Sequence, residues 1–301
     1  MDSRMNAWTW GLLVLLGLIW GGSFFFARIA VQHVPPLTLV FLRLLLAALA
    51  LHVYIAGRLD MYPILKARWR EFLILGIINN VLPHALIFFG QTRIGAGLAA
   101  ILNATTPIWT VLIANYLTSD EKLSSAKIAG CLVGLAGTIV LIGPSISTGS
   151  EAPLWALLLP VLAAVSYGFA ATYGKRFKGV PSPVTAAGQV TASSLIALAL
   201  SLLADRPWEL TAPPLDALLA ILALALLSTA FAYILYFRIM AMAGATNASL
   251  VTLLVPPSAI VLGVLFLGER LRLAELAGMA LIGFGLVILD GRAYRLLTKP
   301  A

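Results

Sequence analysis

Acidic residues are few in this chain, and none sits where membrane chemistry would use it. Only 11% of the 301 residues are charged, and the twelve acids (Asp2, Asp60, Glu71, Asp120, Glu121, Glu151, Asp205, Glu209, Asp216, Glu269, Glu275 and Asp290) all fall in loops or at the ends of apolar stretches. That leaves no mid-membrane carboxylate to hold a proton and a cationic solute in turn, which disfavours cationic drugs as cargo. Cysteine is nearly absent as well. Cys131 stands alone, which rules out an internal disulfide and argues for a packed thiol. No metal-ligand cluster and no Gly-x-Ser-x-Gly elbow is found, so the residues call for neither metal nor cofactor.

Apolar length is abundant. Hydrophobic residues make up 61% of the chain, and the mean hydropathy is +0.99, a composition suited to a bilayer. A span takes about 20 mostly apolar residues. Ten stretches qualify, near 9–28, 36–56, 71–90, 95–117, 125–143, 154–174, 183–203, 215–236, 246–267 and 273–290. The loops between them are too short for an extramembrane domain. The first stretch is longer than a signal peptide's apolar region and lacks an Ala-x-Ala site, so it reads as an uncleaved span.

The net charge of +8 does not point to nucleic acid, because the basic residues sort by side of the membrane. With ten spans, fourteen of the twenty lysines and arginines fall on the side of both termini, five on the other, and Arg43 inside the second span. The positive-inside rule then places both termini in the cytoplasm of a multi-pass inner-membrane protein.

The chain also repeats itself. Gly95-Ala96-x-x-Ala99 and Pro107 return 149 positions later as Gly244-Ala245-x-x-Ala248 and Pro256. Glu121-x-Leu123-x-x-Ala126-x-x-Ala129-Gly130 returns after 148 as Glu269-x-Leu271-x-x-Ala274-x-x-Ala277-Gly278, followed by Gly137/Gly285, Leu141/Leu289 and Gly143/Gly291. At the front of each unit, Trp20-Gly21, Arg28, Pro36 and Thr38 pair at an offset of 147 with Tyr167-Gly168, Lys175, Pro183 and Thr185. Turn-forming residues at 144–150 separate the units, giving repeats 1–146 and 147–301. Five spans per unit is an odd number, so the second copy is inverted, a construction common among secondary transporters. The fold class expected is an all-α integral membrane protein of ten helices in two inverted five-helix repeats.

These features together, with the Trp20-Gly21-Gly22-Ser23 turn, Arg43, the helices of Pro107 and Pro256 and the twin Glu-x-Leu segments, resemble the drug/metabolite transporter superfamily, EamA type, over nearly the whole chain. Within it the chain looks most like ten-helix amino acid exporters, in particular the YddG-type aromatic amino acid exporters. The resemblance implies export of a small amphipathic metabolite, most readily an aromatic or other apolar amino acid, by alternating access through a cavity between the repeats. A proton-coupled multidrug or metabolite exporter of the same superfamily is the alternative. An intramembrane enzyme, with His84 and Ser23 as its only candidate pair, and a non-transporting membrane partner belong to other classes.

Several residues are candidates to line that cavity, Ser23 of the first span among them. Arg43 lies about 10 Å inside Pro36, at 1.5 Å per residue, with no carboxylate on a neighbouring stretch. It fits a substrate carboxylate, or it snorkels or caps free carbonyls. His84 shares a helix face with Asn80, Phe88 and Gln91, and alone among embedded groups titrates near neutrality. Its other reading is a neutral imidazole hydrogen-bonded to the next helix. Asn103, with Thr105 and Thr106, precedes Pro107; Ser249 and Thr252 precede Pro256. These prolines mark paired helix interruptions that serve as hinges beside a midplane site, or kinks used for packing. Trp20, Phe24, Trp109, Tyr167 and Tyr233 lie too deep for an interface belt and either wall the cavity or pack between helices. Gly130, Gly134 and Gly137 with Ala274, Gly278 and Gly285 form small-residue stripes suited to tight packing within the chain or between two protomers of a homodimer.

Overall fold

The computed structural model describes residues 7–56, 61–117, 123–147, 152–243, 248 and 251–290. Glu121, Gly244, Ala245, Ser249, Gly291 and the linker residues 148–151 lie outside that set. Every regular element among the described residues is helical. Ten helices follow the ten apolar stretches: α1 (Ala7–Ala30), α2 (Pro36–Ile55), α3 (Trp69–Gln91), α4 (Ala96–Leu117), α5 (Ser125–Ser147), α6 (Leu154–Phe177), α7 (Ser182–Asp205), α8 (Leu215–Tyr236, continuing to Ala243), α9 (Val251–Leu267) and α10 (Leu273–Asp290). Seven of them are long and apolar enough to cross a membrane, and α5, α9 and α10 carry shorter apolar stretches. Side chains such as Val14, Leu49, Leu162 and Leu195 stand exposed on the outside, where a lipid-facing surface places them.

α5 runs to Ser147, past the Pro144 at which the turn-forming residues suggested a break. The ring removes one ladder bond, but a helix near its end in an apolar phase has no better partner for its remaining backbone groups than the helix itself.

Inverted repetition is visible in the packing. α1 packs on α9 and α6 on α4; α2 pairs with α7 and α5 with α10. A methyl group on Gly21 of α1 would lie 2.8 Å from Ala259 N, and one on Gly168 of α6 would lie 3.0 Å from Thr110 N. Gly21 and Gly168 are repeat mates, and so are Ala259 and Thr110, so one close helix crossing is built twice. The hydrogen bonds Ser166 Oγ to Ile78 O (2.7 Å) and Ser228 Oγ to Ile19 O (3.1 Å) tie α6 to α3 and α1 to α8, again with mates Ser166 and Ile19 at the crossing. The small-residue stripes meet each other inside one chain. Methyls on Gly137 and Gly278 would each come 2.8 Å from the other residue's carbonyl oxygen.

The described carboxylates serve helix ends. Asp205, at the end of α7, accepts from Thr38 N at 2.6 Å and Thr38 Oγ1 at 2.9 Å, supplying the cap that Pro35 and Pro36 cannot give α2. On the opposite face Arg68 pairs with Glu71 and donates to Arg176 O at 2.8 Å, joining the loop before α3 to the end of α6.

Candidate functional site

Two of the ten helices widen into π-helical turns inside the span, at Ile77–Val81 in α3 and Ala223–Phe231 in α8; a third such turn, Ser201–Asp205, only ends α7. The offset of 149 that pairs Gly95 with Gly244 also pairs Asn80 with Thr229 and His84 with Tyr233, so the two wide turns are repeat mates. In α3 the cause is local: Pro83 has no N–H for the carbonyl of Asn79, and the ladder shifts by one residue ahead of it. In α8 the Thr229 hydroxyl bonds Leu224 O five residues back, at 2.8 Å.

Each wide turn faces the second helix of the other repeat, where polar side chains meet. On one side Arg43 Nε of α2 donates to Thr229 Oγ1 at 2.9 Å. On the other, Asn80 Nδ2 donates to Ser193 Oγ (3.1 Å) and Gln189 Oε1 (3.4 Å) of α7, and Asn79 Nδ2 to Gln189 Oε1 at 2.8 Å. Tyr233 bridges the two by donating its hydroxyl to Asn80 Oδ1 at 3.4 Å. The Arg43 guanidinium lies over the Phe88 ring, 5.9 Å from its centroid, and within electrostatic range of Tyr167 and Tyr233. His84 stacks on the other end of this group, its ring 6.1 Å from Phe88 and 12° from parallel.

A buried cation normally needs an opposite charge or a full set of acceptors. Arg43 is 7% exposed, yet among the described residues it makes one side-chain hydrogen bond and no ion pair. Its remaining guanidinium donors form a fork of the shape that takes a carboxylate. His84 Nδ1, Asn103 Oδ1 and Trp109 Nε1 are also buried and find no hydrogen-bond partner among the described residues.

Of the sequence candidates, the structure brings Arg43, Asn80, His84, Tyr167 and Tyr233 together. Trp20 does not join them; it packs against Tyr236, ring centroids 5.4 Å apart, in a separate apolar cluster with Leu16 and Leu235. Phe24 is a core residue whose carbonyl accepts from Gln91 Nε2 at 2.8 Å. Ser23 is buried in α1, and no hydrogen bond joins it to His84. Asn103 and Trp109 flank the break in α4, which divides into Ala96–Asn103 and Thr106–Leu117. There the Thr106 hydroxyl bonds Asn103 O at 2.7 Å, the carbonyl that Pro107 leaves without an N–H. α9, by contrast, runs through Pro256 and Pro257 without interruption, with Ser258 Oγ bonded to Leu254 O at 2.7 Å.

Thr229, Gln189 and Ser193 were not singled out in the sequence. Their signal was present as polar side chains inside apolar runs, but hydroxyls and amides carry no charge to mark them against the background of helix-satisfying serines and threonines.

The family to which this arrangement belongs is decided by comparison with known proteins. A model of the EamA-like transporter family matches the chain twice, over residues 8–143 and 154–289. The chain belongs to the EamA-like transporter family. It is similar to YedA of Escherichia coli (strain K12), an uncharacterized inner membrane transporter, with 28% identity over 298 residues that cover 96% of this chain and 93% of that protein. YoaV of Bacillus subtilis (strain 168), an uncharacterized transporter, is 24% identical over 91% of this chain and 94% of its own length. A protein of known crystal structure, 22% identical, shares the fold with a TM-score of 0.66 over 97% of this chain and 100% of that one. This EamA-like protein is therefore a multi-pass membrane transporter.

Proposed function

We propose that this transporter exports aromatic or other apolar amino acids by alternating access between its repeats, driven by the solute gradient. The observation that carries the reading is Arg43: a buried guanidinium without a counter-ion among the described residues, over Phe88 and within electrostatic range of Tyr167 and Tyr233. A substrate carboxylate completes the fork, and an apolar or aromatic side chain suits the rings around it. In the same reading the repeats divide at 146/147, both termini face the cytoplasm, and Asn80, His84, Asn103 and Trp109 offer polar contacts to the solute.

The test is uptake into proteoliposomes of the purified protein with labelled phenylalanine, tryptophan, leucine and lysine. Saturable flux of the first three, lost in Arg43→Ala, is the expected result. Equal flux of lysine, or flux indifferent to Arg43→Ala, counts against the assignment.

A further inference from the structure

Where α3 begins and α6 ends, the connections that flank them are pinned into one surface. Arg68 pairs with Glu71, donates to Arg176 O at 2.8 Å and lies over the Phe177 ring, 4.7 Å from its centroid. Phe177 is itself buried against Phe72, with ring centroids 4.9 Å apart. Each connection is also held within itself. The short helix Met61–Ala67 buries Met61 and packs Ile64 and Leu65 on the core, and the turn after α6 is closed by Lys178 N donating to Lys175 O (3.2 Å) and Val180 N to Phe177 O (3.0 Å).

The surface so built is basic. Residues 61–71 and 173–180 hold six lysines and arginines against one acid, Glu71, and that acid is taken by Arg68. Lys66, Arg70, Arg176 and Lys178 are exposed. Sorting by side of the membrane accounts for the sign of these charges, but not for their convergence from connections that Arg68 joins across 108 residues of chain. Tyr62 and Trp69 stand exposed among them, and the Arg70 and Arg176 guanidiniums lie 5.3 Å and 5.1 Å from the ring centroids of Trp69 and Tyr173. Tryptophan and tyrosine beside cations at the ends of spanning helices mark the depth of lipid headgroups. Below each cation runs an exposed apolar strip. Arg70, Ile74 and Ile77 share one face of α3, at spacings of four and three residues, and Arg176, Phe169 and Leu162 share one face of α6, at spacings of seven.

We propose that this surface is the seat of an anionic phospholipid, its phosphate held by Arg70, Arg176 and Lys178 and its acyl chains laid along the strips of α3 and α6. The occupant is a lipid and not a soluble anion because the cations are continuous with apolar side chains that a water-borne anion leaves uncovered. Charges presented from connections already fixed by Arg68 and Phe177 lose little freedom on meeting a phosphate, so the seat is made before the lipid arrives. A lipid held there ties the start of α3 to the end of α6 and stabilises the fold.

Lipid binding by the full chain in neutral detergent tests this. The probes are phosphatidylglycerol and phosphatidylcholine with the same labelled acyl chains. Phosphatidylglycerol is expected to bind saturably, at least about tenfold more tightly than phosphatidylcholine, and to raise the melting temperature. Its binding should weaken severalfold when ionic strength rises from about 0.1 M to about 1 M, which shortens the Debye length from about 10 Å to about 3 Å. Arg70→Gln with Arg176→Gln and Lys178→Gln should abolish the preference. Arg93→Gln with Arg270→Gln and Arg272→Gln removes as much charge beyond the other end of α3, where the Glu269 carboxylate accepts from Ala96 N at 2.6 Å, and should leave the preference unchanged. Equal binding of the two lipids by the parental chain overturns the seat without recourse to any variant. So does a preference that survives the first triple substitution, or one lost equally in both, which is general charge attraction. Displacement of the lipid by millimolar glycerol phosphate overturns it as well, since the site is then one for a soluble anion.

Discussion

Arg43 and Thr229 meet at 2.9 Å across the boundary between the repeats, joining the second helix of one to the wide turn of the other. Asn80, the repeat mate of Thr229, makes the corresponding contact with Ser193 of α7. The pseudo-symmetry therefore delivers the same helix crossing twice, but the place of Arg43 is taken in α7 by Val190, so only one of the two crossings carries this cation. That difference gives the seam one charged end among the described residues.

The geometry at Arg43 sets up the first prediction. Arg43→Lys keeps the charge but loses the planar fork, and flux of labelled phenylalanine should fall by roughly tenfold or more, mainly through a weaker apparent affinity. Thr229→Val leaves the Nε donor unpaired and should cost about 1–3 kcal/mol of stability, read as a lower melting temperature in detergent. A lysine variant with parental affinity and turnover would exclude a carboxylate at this fork.

The two prolines should behave differently when replaced. Pro107→Ala supplies an N–H to an Asn103 carbonyl already held by Thr106, in a helix that is broken at this point, and can gain up to about 1 kcal/mol by closing the break. Pro256→Ala acts on a helix that is continuous already. Turnover should therefore slow more in Pro107→Ala than in Pro256→Ala, with substrate affinity little changed in either. Equal and parental turnover in both would reduce the prolines to packing features.

No acid is embedded in the spans, so an imposed proton gradient alone should not drive accumulation of phenylalanine in vesicles. Accumulation against a concentration gradient under ΔpH would contradict this. Its loss in His84→Ala would then identify His84, whose Nδ1 has no partner among the described residues, as the coupling group.

The contact between α5 and α10 leaves no room for a side chain at its glycines. A methyl at Gly285 would lie 2.6 Å from Gly134 N, so Gly285→Ala and Gly278→Ala should each destabilise the protein by about 1–3 kcal/mol through overpacking. Thermal melting in detergent measures this; parental melting temperatures would mean that the two helices part easily.

Much of this architecture was legible in the chain. Span number follows from apolar length, because a helix crossing hydrocarbon has to be long enough and nearly uncharged, and the order of Gly21, Pro36, Gly95, Glu121 and their mates revealed the duplication. The helix faces of α3 were legible too: Asn80, His84, Phe88 and Gln91 are all buried. Pro107 marked a real interruption, and Thr106 supplies the hydroxyl its position promised.

What the sequence by itself determined, then, was a ten-helix membrane protein made of two inverted copies, with its carboxylates at helix ends and one arginine inside. Only the tertiary structure decided which of the deep polar residues meet. Trp20 and Tyr167 are equivalent in the repeat, yet Tyr167 lies within electrostatic range of Arg43 while Trp20 packs on Tyr236. The wide turn at Ala223–Phe231, which no proline or glycine announces, is what accompanies Thr229 to Arg43, and Glu269 finds its donors 173 residues earlier in the chain. Local composition specifies where a helix runs and which residues it must hide. The partners of its polar atoms are set by the crossing of helices far apart in sequence, which decides which acceptor packing brings to which donor.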